Sequence, residues 1–145
     1  MKRPRLTAVK PLPNYQLQMT FINGSIMTVD KGEAIFGKPG LTPLRDPSAF
    51  AQVRLTNCVG WAIEWTAFDI QIGADTLWLE AMYQAATDED TRTFLAWRLR
   101  NGLSLTDAAK ALGMTTRTMS SYGTGARPVP HHIALACKGW EVENR

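Results

Sequence analysis

The chain has 145 residues, 45% of them hydrophobic and 20% charged, with a formal net charge of +3. That is the balance of a globular protein long enough for one domain or two small ones. No apolar run approaches the ~18 residues that a membrane helix needs, and the basic start at residues 1–5 leads into polar, proline-bearing sequence unlike a signal peptide.

Two cysteines, Cys58 and Cys137, stand far apart with no secretory context, which reads as free thiols in a reducing compartment. The charge is unevenly spread. Residues 1–86 hold eight Lys/Arg and seven Asp/Glu, whereas residues 91–138 hold seven Lys/Arg against Asp107 alone. A concentrated positive field suits a phosphate backbone, and an ordinary solvated surface is the plain alternative.

The first half reads as strands and turns. Residues 5–9 and 15–21 alternate, and Tyr15, Leu17, Met19 and Phe21 fall on one face of the second segment. Asn23-Gly24 supplies residues that tolerate positive φ in a two-residue hairpin loop, with 25–29 as the returning strand. Residues 30–47 are rich in Gly and Pro and read mostly as loop. Asp46-Pro47-Ser48 opens a short helix, because Asp caps free amides and Pro fits a first turn. Short strands are expected near 54–56 and 61–65, then a helix from Thr76 to about Ala86 capped by Asp75, burying Leu77, Met82 and Trp78. Strands closed by a helix make a small α+β domain, an antiparallel sheet with short helices.

The pattern changes at Thr87-Asp88-Glu89-Asp90, so the boundary is set between 1–87 and 88–145. Thr87 or Asp90 is the expected cap of the next helix, whose positive end the acids complement. The second part is all-α, with four or five short helices. One spans 92–101, with Gly102 as a left-handed stop. The next begins at Ser104 and sets Leu105, Ala108, Ala109 and Leu112 on one side. Gly113 ends it, Thr115 caps a third helix with Met119 and Tyr122 inward, and Gly125 ends that. Pro128 and Pro130 precede a last helix with Ile133, Leu135, Ala136 and Cys137. Two short helices joined by a glycine-bearing turn, Leu112-Gly113-Met114-Thr115, can present the second helix to a major groove. The outward positions Thr116, Arg117, Ser120 and Ser121 include no acid.

The run FLAWRLRNGLSLTDAAKALGMTTRTMSSYGTGARPVP resembles the lambda-repressor-like, XRE-type helix-turn-helix family over residues 92–138. The shared features are Gly102-Leu103-Ser104, Ala109, Leu112-Gly113, Thr115, Met119, and Gly125 with Arg127-Pro128. The resemblance implies double-stranded DNA as partner, with Thr116, Arg117 and Ser121 at base-reading positions. It implies phosphate contacts from Ser104, Thr118, Arg127, and the start of the last helix at His131. The family often has Gln where Leu105 stands, Leu at Ala108 and Glu at Gly123. Residues 5–80, through RLTAVKPLPNYQLQMTFINGSI, PLRDPSAFAQVRL and WAIEW, resemble a small bacterial α+β family of unknown function.

Other chemistries are weaker. His131-His132 with Cys137 supply three zinc ligands at most and no fourth. Trp61, Trp65 and Trp78 form either an aromatic platform for single strands or, more simply, core. Glu64, Asp69 and Asp75 have no histidine, nucleophile motif or glycine-rich phosphate loop beside them, which argues against an enzyme. The sequence therefore points to a cytoplasmic, homodimeric regulator without cofactor or metal. The alternative is an adaptor or antitoxin-like protein whose N-terminal domain engages a protein partner.

Overall fold

A computed structural model describes residues 3–56 and 59–145, so Cys58 lies outside the described residues. The chain divides into two compact units, 1–81 and 82–145.

The first unit opens with three antiparallel strands, β1 (Leu6–Leu12), β2 (Gln16–Phe21) and β3 (Ile26–Asp30), in the order β1-β2-β3. Strand β1 runs on through Pro11, which an edge strand tolerates because an edge residue need not donate to the ladder. Leu17, Met19 and Phe21 are buried, as their alternation predicts. Tyr15 leaves that series: Asn14 at φ 63° and Tyr15 at φ 61° form the β1–β2 turn in left-handed conformations. The β2–β3 loop also differs from expectation. Gly24 donates to Phe21 O at 2.9 Å and Phe21 donates to Ser25 O at 2.8 Å. Gly24 is at φ 88° while Asn23 is not in the positive region, so the loop has three residues and a glycine bulge.

Residues 30–47 are largely helical rather than loop: α1 (Gly32–Gly37) and a 3₁₀ segment (Pro39–Arg45) precede α2 (Pro47–Phe50). Pro39 occupies a first-turn position, where its missing amide costs nothing. Asp46 caps α2 by accepting from Ser48 N at 3.0 Å. A second antiparallel sheet follows, β4 (Arg54–Leu55), β5 (Ala62–Trp65) and β6 (Ile70–Gly73), of which β6 is unanticipated. Helix α3 (Ala74–Ala85) begins before Asp75, so Asp75 is a first-turn residue whose Oδ1 accepts from Thr76 N rather than the cap. Leu77 and Trp78 are buried and Met82 is half-buried.

The second unit is helical: α4 (Glu89–Asn101), α5 (Leu105–Leu112), α6 (Thr116–Gly123) and α7 (His131–Glu143). The cap of α4 is Asp88, accepting from Thr91 N at 2.9 Å, in place of Thr87 or Asp90. Those hydrogen bonds from Thr91 hold the Asp88 carboxyl below its ordinary range. Phe94, Leu95 and Trp97 of α4 are fully buried, and Trp97 meets Trp140 of α7 edge to face at 5.6 Å. Helix α7 runs to Glu143, past residue 138, where the family resemblance stops. Among the described residues no helix is long and apolar enough to cross a membrane.

Candidate nucleic-acid interface

Helices α5 and α6 pack on one another through residues chosen for size. Ala108 and Ala109 are buried on α5, and Met119 and Tyr122 are buried on α6. A Cβ added at Gly123 would lie 2.9 Å from Leu105 Cδ2, so the end of α6 approaches the start of α5 closely enough that a larger residue there requires the Leu105 side chain to shift. Each end is fixed by a local hydrogen bond. Ser104 Oγ accepts from Asp107 N at 3.0 Å. Gly113 turns left-handed at φ 66°, and Met114 N then donates to Ala109 O at 2.9 Å. Thr115 Oγ1 accepts from Thr118 N at 3.3 Å and so starts α6. Helix α6 ends at Gly123, and Gly125, at φ 79°, lies in the turn beyond it.

Thr116 and Arg117 project from the exposed first turn of α6, which contains no acid. Ser121 is half-buried and donates its hydroxyl to Thr118 O at 2.7 Å, so its side chain is partly spent on its own helix. Thr118 Oγ1 sits 3.0 Å from Thr115 Oγ1, within the cap. Ser104 likewise uses its oxygen as a cap while staying exposed. Arg127 is exposed; its guanidinium lies over the Tyr122 ring at 5.6 Å and its amide donates to Ser121 O at 3.1 Å. The loop holding it is tied to α4 where Val129 N donates to Thr91 Oγ1 at 3.1 Å. Helix α7 starts after Pro130 with no side-chain cap, but the His131 ring stands 2.9 Å from the Asp90 carboxylate. No local signal announces that pairing, which spans 41 positions.

The positive field is narrower than a count along the chain implies. Arg92 donates to Tyr83 O and Ala86 O at 3.1 and 3.2 Å and lies over the Tyr83 ring. Arg98 is buried and donates to Leu103 O at 3.1 Å. Arg100 grips Glu141 with two nitrogens, at 2.6 and 3.1 Å, and Asn101 donates to the same carboxylate. That hydrogen bonding lowers the Glu141 pKa and raises that of Arg100. Lys110, Arg117, Arg127 and Lys138 remain as exposed cations.

The competing chemistries disperse in space. Cys137 is a free thiol buried at the back of α7, and desolvation pushes its pKa up to about 12. His131 and His132 are exposed. Trp65 and Trp78 are core residues, Trp65 donating Nε1 to Phe50 O at 2.8 Å, while Trp61 is 46% exposed. Glu64 is paired with Arg54 at 3.0 Å.

The fold is thus an antiparallel α+β unit followed by four helices, with an exposed, acid-free helix start carrying an arginine. No protein-family profile and no curated protein matches the chain. Among solved structures it is similar to "Putative DNA Binding Protein NE0471" from Nitrosomonas europaea, with 38% sequence identity and a TM-score of 0.61. The similarity covers 97% of this chain and 90% of that one. The chain belongs to the family of that protein.

Proposed function

We propose that this protein binds duplex DNA in a sequence-specific manner through a helix-turn-helix of XRE type, with α6 as the helix that enters the major groove. The observation that carries this reading is the start of α6, exposed, free of acids and bearing Arg117 directly after the α5 turn. Kinship across nearly the whole chain with a protein described as DNA-binding supports it. Thr116, Arg117 and Ser121 read base edges; Ser104, Thr118, Arg127 and the backbone at His131 contact phosphate. One such module covers little DNA, so the working form is a homodimer on a palindromic site. The role that follows is transcriptional regulation in the bacterial cytoplasm. It is a binding protein rather than an enzyme, a view supported by the Glu64 carboxylate being paired with Arg54 and Asp75 turning to its neighbouring amide.

Titration of labelled duplex with the protein at several salt concentrations tests the proposal. Affinity falls steeply with salt, because neutralised phosphates release counterions. Arg127→Ala weakens all duplexes alike, whereas Arg117→Ala removes about 1–3 kcal/mol of discrimination between the best site and single-base variants. No duplex binding even at low salt sinks the reading. The adaptor or antitoxin-like alternative draws on Leu105, packed against Gly123 where the related helix-turn-helix domains often carry Gln and Glu. Co-purification of a protein partner without duplex binding favours it.

A further inference from the structure

The first unit carries a cationic and apolar cluster that the proposed DNA contacts do not use. Arg3 and Arg5 hold their guanidinium carbons 5.2 and 5.4 Å from the centroid of the Trp61 ring. Arg5 is locked there by two links: its Nε donates to Val59 O at 2.8 Å, and its carbonyl accepts from Ile22 N at 2.8 Å. Leu6 N donates to Gly60 O at 2.7 Å, which ties β1 to the segment leading into Trp61. Around these cations stand three large apolar side chains open to solvent: Ile22 at 54%, Trp61 at 46% and Val59 at 40% exposure. Among the described residues neither arginine has a carboxylate partner. Asp75, one residue beyond the Ala74 amide that donates to Trp61 O, turns its Oδ1 to Thr76 N.

We infer that this surface docks an acidic peptide segment of a partner protein, its carboxylates on Arg3 and Arg5 and an adjoining apolar side chain against Trp61, Ile22 and Val59. The geometry favours carboxylates over the alternatives. A guanidinium presents a planar fork that a carboxylate matches with two hydrogen bonds, and here the indole preorganises both forks. A nucleobase would need an indole face for stacking, and the arginines already lie over the ring. The aliphatic rim of Ile22 and Val59 offers nothing to a sugar-phosphate chain, while it suits apolar side chains next to acids. An exposed aromatic flanked by arginines is also the composition that anchors protein interfaces.

Short random peptides displayed on phage and selected against the full chain test this. Recovered peptides should be enriched in Asp or Glu beside an apolar residue. A synthetic consensus peptide should lose about tenfold in affinity on Arg3→Gln or Trp61→Ala. Lys10→Gln, which removes a charge from β1 outside the cluster, should leave binding unchanged, and thermal melts should show all three variants folded. Failure to enrich acids over the unselected library overturns the inference, as does a consensus peptide that binds Arg3→Gln as well as the parent. Oligothymidine binding that is lost in the same variants reassigns the surface to single-stranded nucleic acid and overturns it too.

Discussion

The two units are held in shape by different kinds of instruction. In the first, geometry depends on close approach and on unusual backbone angles: Asn14, Tyr15, Asp69, Gly24 and Gly60 all have positive φ. Gly60 is the extreme, since a Cβ there would lie 1.8 Å from the carbonyl oxygen of Leu6. In the second, positive φ falls on glycines alone, at Gly102, Gly113 and Gly125. A Cβ at Gly102 or Gly113 would meet nothing within 4 Å. The starts of α4, α5 and α6 are set by a carboxylate and two hydroxyls, each accepting from an amide three residues on. The first unit is therefore intolerant at a few backbone crossings, whereas the second spreads its specification over several modest local terms.

That contrast can be broken by substitution. Gly60→Ala should be the most damaging, because it combines a left-handed alanine, costing roughly 1–2 kcal/mol, with a contact the backbone must move to relieve. A loss of at least about 3 kcal/mol in urea unfolding is expected, with the β1 link to Gly60 opened. A loss below about 1 kcal/mol would erase the distinction between the units. Gly113→Ala and Thr115→Ala should each cost only about 1 kcal/mol, the first through φ and the second through the lost cap. Their effects on duplex binding should exceed their effects on folding, since both sit where α6 is aimed.

The smallest effect is one of pH. Asp88 and Glu141 have lowered pKa values in the folded chain, from hydrogen bonds with Thr91 and Arg100 respectively. Each therefore contributes stability at pH above the ordinary carboxylate range and loses it as pH falls through the lowered value. Acid titration of helical circular dichroism should show the second unit weakening at low pH, and Glu141→Gln should flatten that dependence. A dependence unchanged in Glu141→Gln would remove the Arg100 clamp from the account.

Much of the second unit could be read from its residues because its signals are local. Ser104, Thr115, Gly102 and Gly113 act on amides and carbonyls within a turn of themselves, so their types alone place the helix ends. The first unit hides more. Helix α1 is bounded by glycines and buries only Ile35, too short for any periodicity to emerge. Strand β6 is four residues long and enters through Asp69 at φ 54°, a conformation that residue type does not announce. For the candidate interface, Thr116 and Arg117 were legible from their position after a cap. The fates of Arg92, Arg98 and Arg100 were not, because charge counted along a chain says nothing of which carbonyl or carboxylate each guanidinium reaches. The pairing of His131 with Asp90 escaped for the same reason.

The buried thiol of Cys137 has a use as a clock. With its pKa at about 12, only about one molecule in ten thousand carries the thiolate at pH 8, and the sulfur has no exposed surface. An alkylating reagent can reach it only when α7 lifts from the rest of its unit. In a Cys58→Ser background, the labelling rate therefore reports how often that helix opens, one molecule at a time. Duplex DNA that grips the start of α7 should slow that rate, while a ligand confined to the first unit gives the control for comparison.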